Sequence, residues 1–492
     1  MPVDGGTPDA SSPVADAPPD AGPPPIAWEP CPSRFRDECA VVPMPLDHDH
    51  PEGETIDVFI SRRGNGPRQL WLLQGGPGAS AESFFGLHDF LTMVDPELEV
   101  YTIEHRGVGD STRLGCAAEG TRTPGGNQIT PEEWPACQAE VEAEWGERLA
   151  FFSTTQAAHD LAYAIERTRR TDQEVFVYGG SYGTYWANRY GVLHPDQPTG
   201  VILDAPVQPG SELALYDLSF EPLGRRVFSE LCPGSPACSE HLGADPLAFV
   251  ERTFERLRGG HCSALGVDLD TWKVVFGVSL MDYNLRNWLP ALFYRLDRCS
   301  PADMAAIAAL FSNVFAGGGG GLPRKSQILQ VHVLLSEFWP RTHLSDAEVV
   351  MAGETAMFFQ NAVADVFLNQ DTWPRYAIDP RASEYIPSSV PVLTLAGAFD
   401  PAAPPALVGY GYRDRLTGPH QTFVEIPYGA HTVLTSGFVA DMSPCPVQLT
   451  RAFFADPTAS LPVSCAASVS PPSFDAPPDV AMRFFGTPSL YD

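Results

Sequence analysis

Glu174-Val175-Phe176-Val177-Tyr178-Gly179-Gly180-Ser181-Tyr182-Gly183-Thr184-Tyr185 is the stretch whose reading decides the fold. Its apolar, β-branched first half predicts a buried strand, and Gly-x-Ser-x-Gly follows directly. Thr184 to His194 then reads as a helix. The motif alone occurs by chance; strand, sharp turn and helix together make Ser181 a candidate nucleophile, with an ordinary Gly-rich strand–helix turn as the alternative. A serine on so tight a turn takes a strained backbone conformation, and glycines at 179 and 183 let strand and helix approach closely. Its hydroxyl then stands clear of the sheet, beside the positive end of a helix.

Working outward, Gln69 to Leu73 reads as a core strand running into Gln74-Gly75-Gly76-Pro77-Gly78, about a hundred residues before Ser181. An α/β-hydrolase carries its oxyanion loop there, and glycines leave backbone N–H groups free to face a developing oxyanion. Ala40–Pro43 and Ile56–Ile60 read as an antiparallel pair, and Glu99–Ile103 and Thr199–Asp204 as further strands. Thr154–Arg169 has helical spacing with Ser153 as N-cap, and residues 112–150 read as loop-rich. Strands alternating with helices imply a parallel sheet. From about 207 to 385 the pattern is helical, interrupted by the Gly317–Gly321 run, which reads as a mobile surface loop. Strand periodicity returns at Val390–Leu395 and Gln421–Ile426.

A serine needs a base, and the base needs an orienting acid. The two late strands deliver Asp400 and His431, in the order Ser, Asp, His that this fold uses. Asp204, ending the strand after Ser181, is the rival acid.

The fold expected is therefore an α/β-hydrolase: a mostly parallel central sheet flanked by helices, with a large, mainly helical cap insertion. The expected division is a disordered Pro/Ala/Asp-rich linker at 1–26, core at 27–206 and 388–465, cap at 207–387, and a C-terminal extension at 466–492 whose Pro-, Ser- and Ala-rich 466–480 stretch hugs the surface.

The formal net charge of −30 speaks against nucleic acid and anionic membrane as partners. No run of about 18 apolar residues is present, so no membrane-spanning helix is expected. Ten cysteines fall as near neighbours: Cys31/Cys39, Cys116/Cys137, Cys232/Cys238, Cys262/Cys299 and Cys445/Cys465. Five local disulfides in an oxidising compartment is the expectation, with buried free thiols as the alternative. No Cys/His spacing suits a metal. Residues 2–25 are similar to the linker left once a secretion signal or lipid-anchored cysteine is removed, with Met1 an added start. A secreted or bacterial cell-envelope location and a monomer are expected.

Gln74-Gly75-Gly76-Pro77-Gly78, His105-Arg106-Gly107-Val108-Gly109, Gly179 to Gly183, Gly397-Ala398-Phe399-Asp400 and Gly429-Ala430-His431, in that order, resemble the secreted tripeptidyl aminopeptidases. These group with the prolyl aminopeptidases among α/β-hydrolase serine peptidases. The likeness covers about residues 30–205 and 388–465. It implies a cofactor-free serine exopeptidase acting on peptides with a free N-terminus, and an oxyanion hole formed by the N–H groups of Gly76 and Tyr182. Glu104 stands where the family usually has Asp. The family holds the substrate N-terminus with cap carboxylates; Glu212, Glu221, Glu337 and Glu354 are the candidates here, with the substrate-binding residues unassigned. Two other readings share the same residues: a carboxylic ester hydrolase, and a catalytically silent binding domain.

Overall fold

Nine strands form one sheet in the order β1-β2-β3-β5-β4-β6-β7-β8-β9. They are β1 (Glu29–Pro30), β2 (Glu38–Pro45), β3 (Thr55–Arg63), β4 (Arg68–Leu73), β5 (Leu98–Ile103), β6 (Glu174–Gly180), β7 (Gly200–Asp204), β8 (Val392–Gly397) and β9 (Gln421–Ile426). From β5 across to β9 every pairing is parallel, while β1, β2 and β3 add an antiparallel edge. The computed structural model describes residues 25–31, 37–119, 128–214, 216–315, 325–340, 347–435 and 445–492. The Gly317–Gly321 run and all but the last two residues of the expected linker lie outside them.

Both faces of β4, β5, β6, β7 and β8 are covered, which is why those strands read as largely apolar runs, while β9 at the sheet's edge is half-buried. Along β6, Val175 and Val177 enter one cluster while Phe176 and Tyr178 enter another, as alternation across a strand requires. The helices α1 (His88–Val94), α2 (Trp134–Trp145), α3 (Thr154–Thr168) and α4 (Tyr182–Leu193) belong to the first half of the chain. Ser153 caps α3 by accepting from Gln156 N, as expected. Residues 112–150, read as loop-rich, contain α2: its buried face is Trp134, Cys137, Val141 and Trp145. That helical spacing was obscured by Pro135, which a first helical turn tolerates.

Between β7 and β8 the described residues form α5 (Phe220–Arg226), α6 (Pro236–Leu242), α7 (Pro246–Arg258), α8 (Leu269–Met281), α9 (Tyr283–Arg298), α10 (Pro301–Leu310), α11 (Gln327–Glu337), α12 (Ala347–Thr355) and α13 (Ala364–Asn369). They do not share one core. Phe228, Phe276, Phe293 and Phe358 build a separate cluster, whereas Ile328, Leu329 and Val331 of α11 belong to the cluster on the sheet. After α14 (Tyr410–Arg415) and α15 (Cys445–Ala455), the chain ends with α16 (Pro478–Phe485). This tail does more than lie on the surface. Phe474, Phe485, Leu490 and Tyr491 are buried in the second cluster, and Arg295 donates to the carbonyls of Ser489 and Leu490.

All five cysteine pairs are disulfides in the expected pairing, and no free cysteine remains among the described residues. No described helix is long and apolar enough to cross a membrane.

Phe485→Ala should lower the unfolding free energy by about 3–5 kcal/mol, the usual cost of emptying a buried phenylalanine site. Urea unfolding reads this directly. A loss below about 1 kcal/mol would show that the tail is dispensable to the second cluster.

Candidate active site

The register of the parallel strands decides which residues meet. Leu73 pairs with Gly179, Gly180 with Asp204, Asp204 with Leu395, and Gly397 with Ile426. The loops leaving β4, β6, β7, β8 and β9 therefore emerge side by side at one edge, and they carry Gly75-Gly76, Ser181, Asp204, Asp400 and His431. Strand order reverses around β4, so this edge includes the switch point where open α/β sheets bind ligands.

Ser181 links β6 to α4 with φ 57° and ψ −127°, outside the regions L-residues favour. A side chain at Gly179 would begin 2.1 Å from Gly183 O, and one at Gly183 2.1 Å from Leu73 O, so neither position admits a Cβ. The turn is fixed from below by Ser181 N donating to Asp204 O at 2.9 Å, and from α4 by the Thr184 hydroxyl donating to Ser181 O at 2.6 Å. The helix starts at Tyr182, two residues earlier than its sequence suggests, immediately after the serine.

Asp400 and His431 meet. Asp400 is fully buried, and His431 Nδ1 lies 3.0 Å from Oδ1 and 2.8 Å from Oδ2 of its carboxylate. Oδ1 also accepts from Ala402 N and Ala403 N, which fixes the carboxylate's orientation. The two loops touch through backbone: Phe399 N donates to Gly429 O, and a Cβ on Gly397 would sit 2.2 Å from Ala430 O. Burial disfavours the His431 imidazolium, but the charge and hydrogen bond of Asp400, with the charge of Asp204, outweigh it and hold its pKa above the usual 6.5. The stability this pair contributes is full below about pH 6.5 and is lost as pH rises through the higher folded value.

Asp204 has a different job. Its carboxylate accepts from Val433 N at 2.8 Å, Leu434 N at 2.9 Å and the Tyr178 hydroxyl at 2.9 Å. It thereby anchors the turn just after His431, and it makes no hydrogen bond to the imidazole. Burial raises its pKa to about 6 against those three donors. No hydrogen bond joins Ser181 to His431 among the described residues. Their neighbours are in contact range, with Thr432 Cγ2 3.5 Å from where a Gly180 side chain would start. Hydrogen bonds of this kind are often long without substrate and tighten on binding.

The Gly75–Gly78 loop backs onto the serine. A Cβ on Gly75 would lie 2.8 Å from Ser181 Cβ, and Gly76 follows with φ 114° at an exposed position. Tyr182 opens α4, where backbone N–H groups have no intrahelical acceptor. Behind them, Glu104 accepts from the Ser80 hydroxyl and from Asp110 N, both at 2.6 Å, tying the glycine loop to the turn after β5. The Tyr182 ring is held between His105 Nε2 and the Thr154 hydroxyl. Ser326 N, just before α11, donates to Gly78 O.

Of the four glutamates considered for the substrate amine, two are already engaged. The Glu337 side chain is buried, accepting from Thr154 N and the Tyr185 and Tyr376 hydroxyls, with Arg189 3.6 Å away. Glu221 accepts from Met357 N and Phe358 N and pairs with Arg225. Glu212 and Glu354 are exposed. No group of His, Cys, Asp or Glu is placed to hold a metal ion among the described residues.

A family model described as serine aminopeptidase, S33, matches residues 76–246. Tripeptidyl aminopeptidases of Streptomyces coelicolor and Streptomyces lividans are each 27% identical over 264 residues, 47% of this chain and 48% of theirs. The fold is that of the α/β-hydrolases, and part of the chain is similar in sequence to the serine aminopeptidases. The match spans about half the length of those relatives. Among solved structures, the hydrolase is similar to a proline iminopeptidase of Mycobacterium smegmatis (12% identity, TM-score 0.34, 85% of this chain and 98% of that one). It is also similar to a carboxyl esterase of Bacillus coagulans (13% identity, TM-score 0.36, 86% and 99%).

The two acids separate by mutation. Asp400→Asn should cost on the order of 10⁴-fold in kcat, as loss of an orienting acid does in related triads. Asp204→Asn should cost far less, because it loosens the turn after His431 without touching the imidazole. Steady-state kinetics on both variants decides; a crippled Asp204→Asn beside a mild Asp400→Asn would reverse the assignment.

Proposed function

We propose that this hydrolase is an extracellular serine exopeptidase that cleaves short peptides from a free N-terminus. The observation carrying the reading is the buried Asp400–His431 pair at the strand edge where Ser181 occupies its strained turn. The family match supports peptide bonds as the target, and five disulfides support an oxidising compartment.

In this mechanism His431 Nε2 takes the Ser181 proton as Oγ attacks the scissile carbonyl carbon. Asp400 accepts from Nδ1–H throughout, fixing the tautomer and stabilising the imidazolium. The carbonyl oxygen becomes an oxyanion facing Gly76 N–H and Tyr182 N–H; such a donor contributes about 3–4 kcal/mol. Collapse breaks the C–N bond, and the leaving amine takes the proton from His431. A water then repeats the sequence on the acyl-Ser181 ester, releasing the acid and restoring the serine.

Ester hydrolysis is the second reading, and one observation favours it. Glu337 and Glu221, the most enclosed candidates for holding an ammonium group, already have full sets of partners. Aminoacyl-, prolyl- and tripeptidyl-naphthylamides assayed beside short-chain nitrophenyl esters separate the two. For an aminopeptidase, an N-acetyl block abolishes turnover; for an esterase, the esters dominate and the block is irrelevant. Ser181→Ala should reduce either activity to near background in folded protein. A protein whose Ser181 resists a fluorophosphonate probe would instead be a silent binding domain.

The rate should also follow His431. Neutral imidazole is the active form, and its pKa is held above 6.5, so the acid limb of kcat/KM should have its midpoint above that value. A midpoint well below about 6 would dissociate the limb from this histidine.

A further inference from the structure

The junction between α8 and α9 reaches the loop that carries His431. His431 N donates to Met281 O at 3.1 Å, and Arg286 Nη2 donates to Tyr428 O at 2.6 Å. Arg286 is fully buried, and its Nε and Nη1 have no hydrogen-bond partner. No carboxylate forms an ion pair with it among the described residues; its surroundings are aromatic instead. The guanidinium carbon lies 5.2 Å from the Tyr283 ring centre and 5.9 Å from that of Phe399, the residue before Asp400. One side chain thus touches both the loop of the acid and the loop of the base.

We infer that Arg286 is a positioning residue for the acyl-transfer site, holding the Asp400 and His431 loops in mutual register and biasing the proton affinity of the pair by its unneutralised charge. The inference rests on the proposed roles of Ser181, Asp400 and His431. A buried cation without a counter-ion is costly, and a well-packed apolar side chain of similar volume usually replaces buried charge without loss of stability. Stability is therefore not what this arginine supplies.

The surrounding charges fix the sign. Asp282, at the start of the same helix, spends Oδ1 on Asn284 N and Leu285 N. Asp400 and the Tyr283 hydroxyl also act on the guanidinium, while burial pushes its pKa down to about 10, so it stays charged near neutrality. Arg226 lies over the same Phe399 ring but is paired with Glu230 and partly exposed. His431 faces Asp400 and Asp204. A positive charge beside this set opposes the imidazolium, so its removal raises the His431 pKa.

The test compares wild type, Arg286→Met and Arg286→Lys by two readouts. One is the NMR titration of His431 in protein carrying ¹³C-histidine, with the signal assigned by its loss in His431→Asn. The other is the rate at which a fluorophosphonate labels Ser181 between pH 5 and 9. Arg286→Met should raise the His431 midpoint by about half a unit or more and slow labelling about tenfold or more. Its thermal midpoint should not fall, and Arg286→Lys should keep the wild-type titration. An unchanged His431 midpoint in Arg286→Met overturns the inference, even if labelling slows, because slowing alone is what a packing defect gives. Should the methionine variant not fold, Arg286→Gln, which keeps a donor for Tyr428 O without charge, is judged by the same midpoint. If wild type itself fails to label, the proposed function falls, while the titration still reports on Arg286.

Discussion

Holding a serine at φ 57° and ψ −127° costs about 1–3 kcal/mol, and the surrounding structure leaves Ser181 no alternative. β6 cannot end later, because its pairing with β7 closes at Gly180 and Asp204. α4 cannot begin elsewhere, because Gly183 is pressed against Leu73 O and the Thr184 hydroxyl is bonded to Ser181 O. The strain is therefore met by sheet pairing and burial on both faces, which are determined many residues away. That distance separates this built, strained turn from a chance Gly-x-Ser-x-Gly.

Buried carboxylates show how one chemical group serves different ends. Asp400 keeps both oxygens against His431 and uses only backbone donors to fix its orientation. Asp204, one strand away, has every contact on the turn after the histidine and on Tyr178. Glu104 links two loops through Ser80 and Asp110, a span that its extra methylene over aspartate lengthens. Glu337 ties α11 to α3 and α4. In each case the partners, not the acid, define the role, which is why four similar side chains could not be ranked by type alone.

The same point explains how much the sequence disclosed. Every strand but the two-residue β1, α3 with its Ser153 cap, the five cysteine pairs and the placement of Ser181, Asp400 and His431 at strand ends follow from local patterns: period, turn chemistry and chain order. What stayed hidden depended on contacts between distant segments. Asp204 as loop anchor needs Val433 and Leu434, more than two hundred residues on. Glu337 reads as a candidate for the substrate amine by sequence, but Thr154, Tyr185 and Tyr376 surround it. Arg286 carries no local signal whatever; only the meeting of α9 with the loop after β9 gives it meaning. The local signal for α2 is weak for a simpler reason, a proline and a disulfide cysteine masking an apolar spacing.

The partition of the cores bears on how such a hydrolase changes its substrate. Ser181 is supported by the sheet and α4, whereas Phe399 and Ala402, flanking Asp400, pack in the cluster built by the inserted helices and the C-terminal tail. His431 N is bonded to Met281 at the end of α8 in the same segment. The loops of Asp400 and His431 thus rest on the second core as well as on the sheet, to which Asp204 anchors the turn after His431, whereas Ser181 rests on the sheet and α4. A change in the inserted helices that reshapes substrate access must also act on the acid and base loops, since one packed interior cannot shift part of its lining and keep the rest still. Under the proposed function, substrate choice and proton transfer are therefore physically coupled, and mutations in α8 or α9 selected for one will move the other.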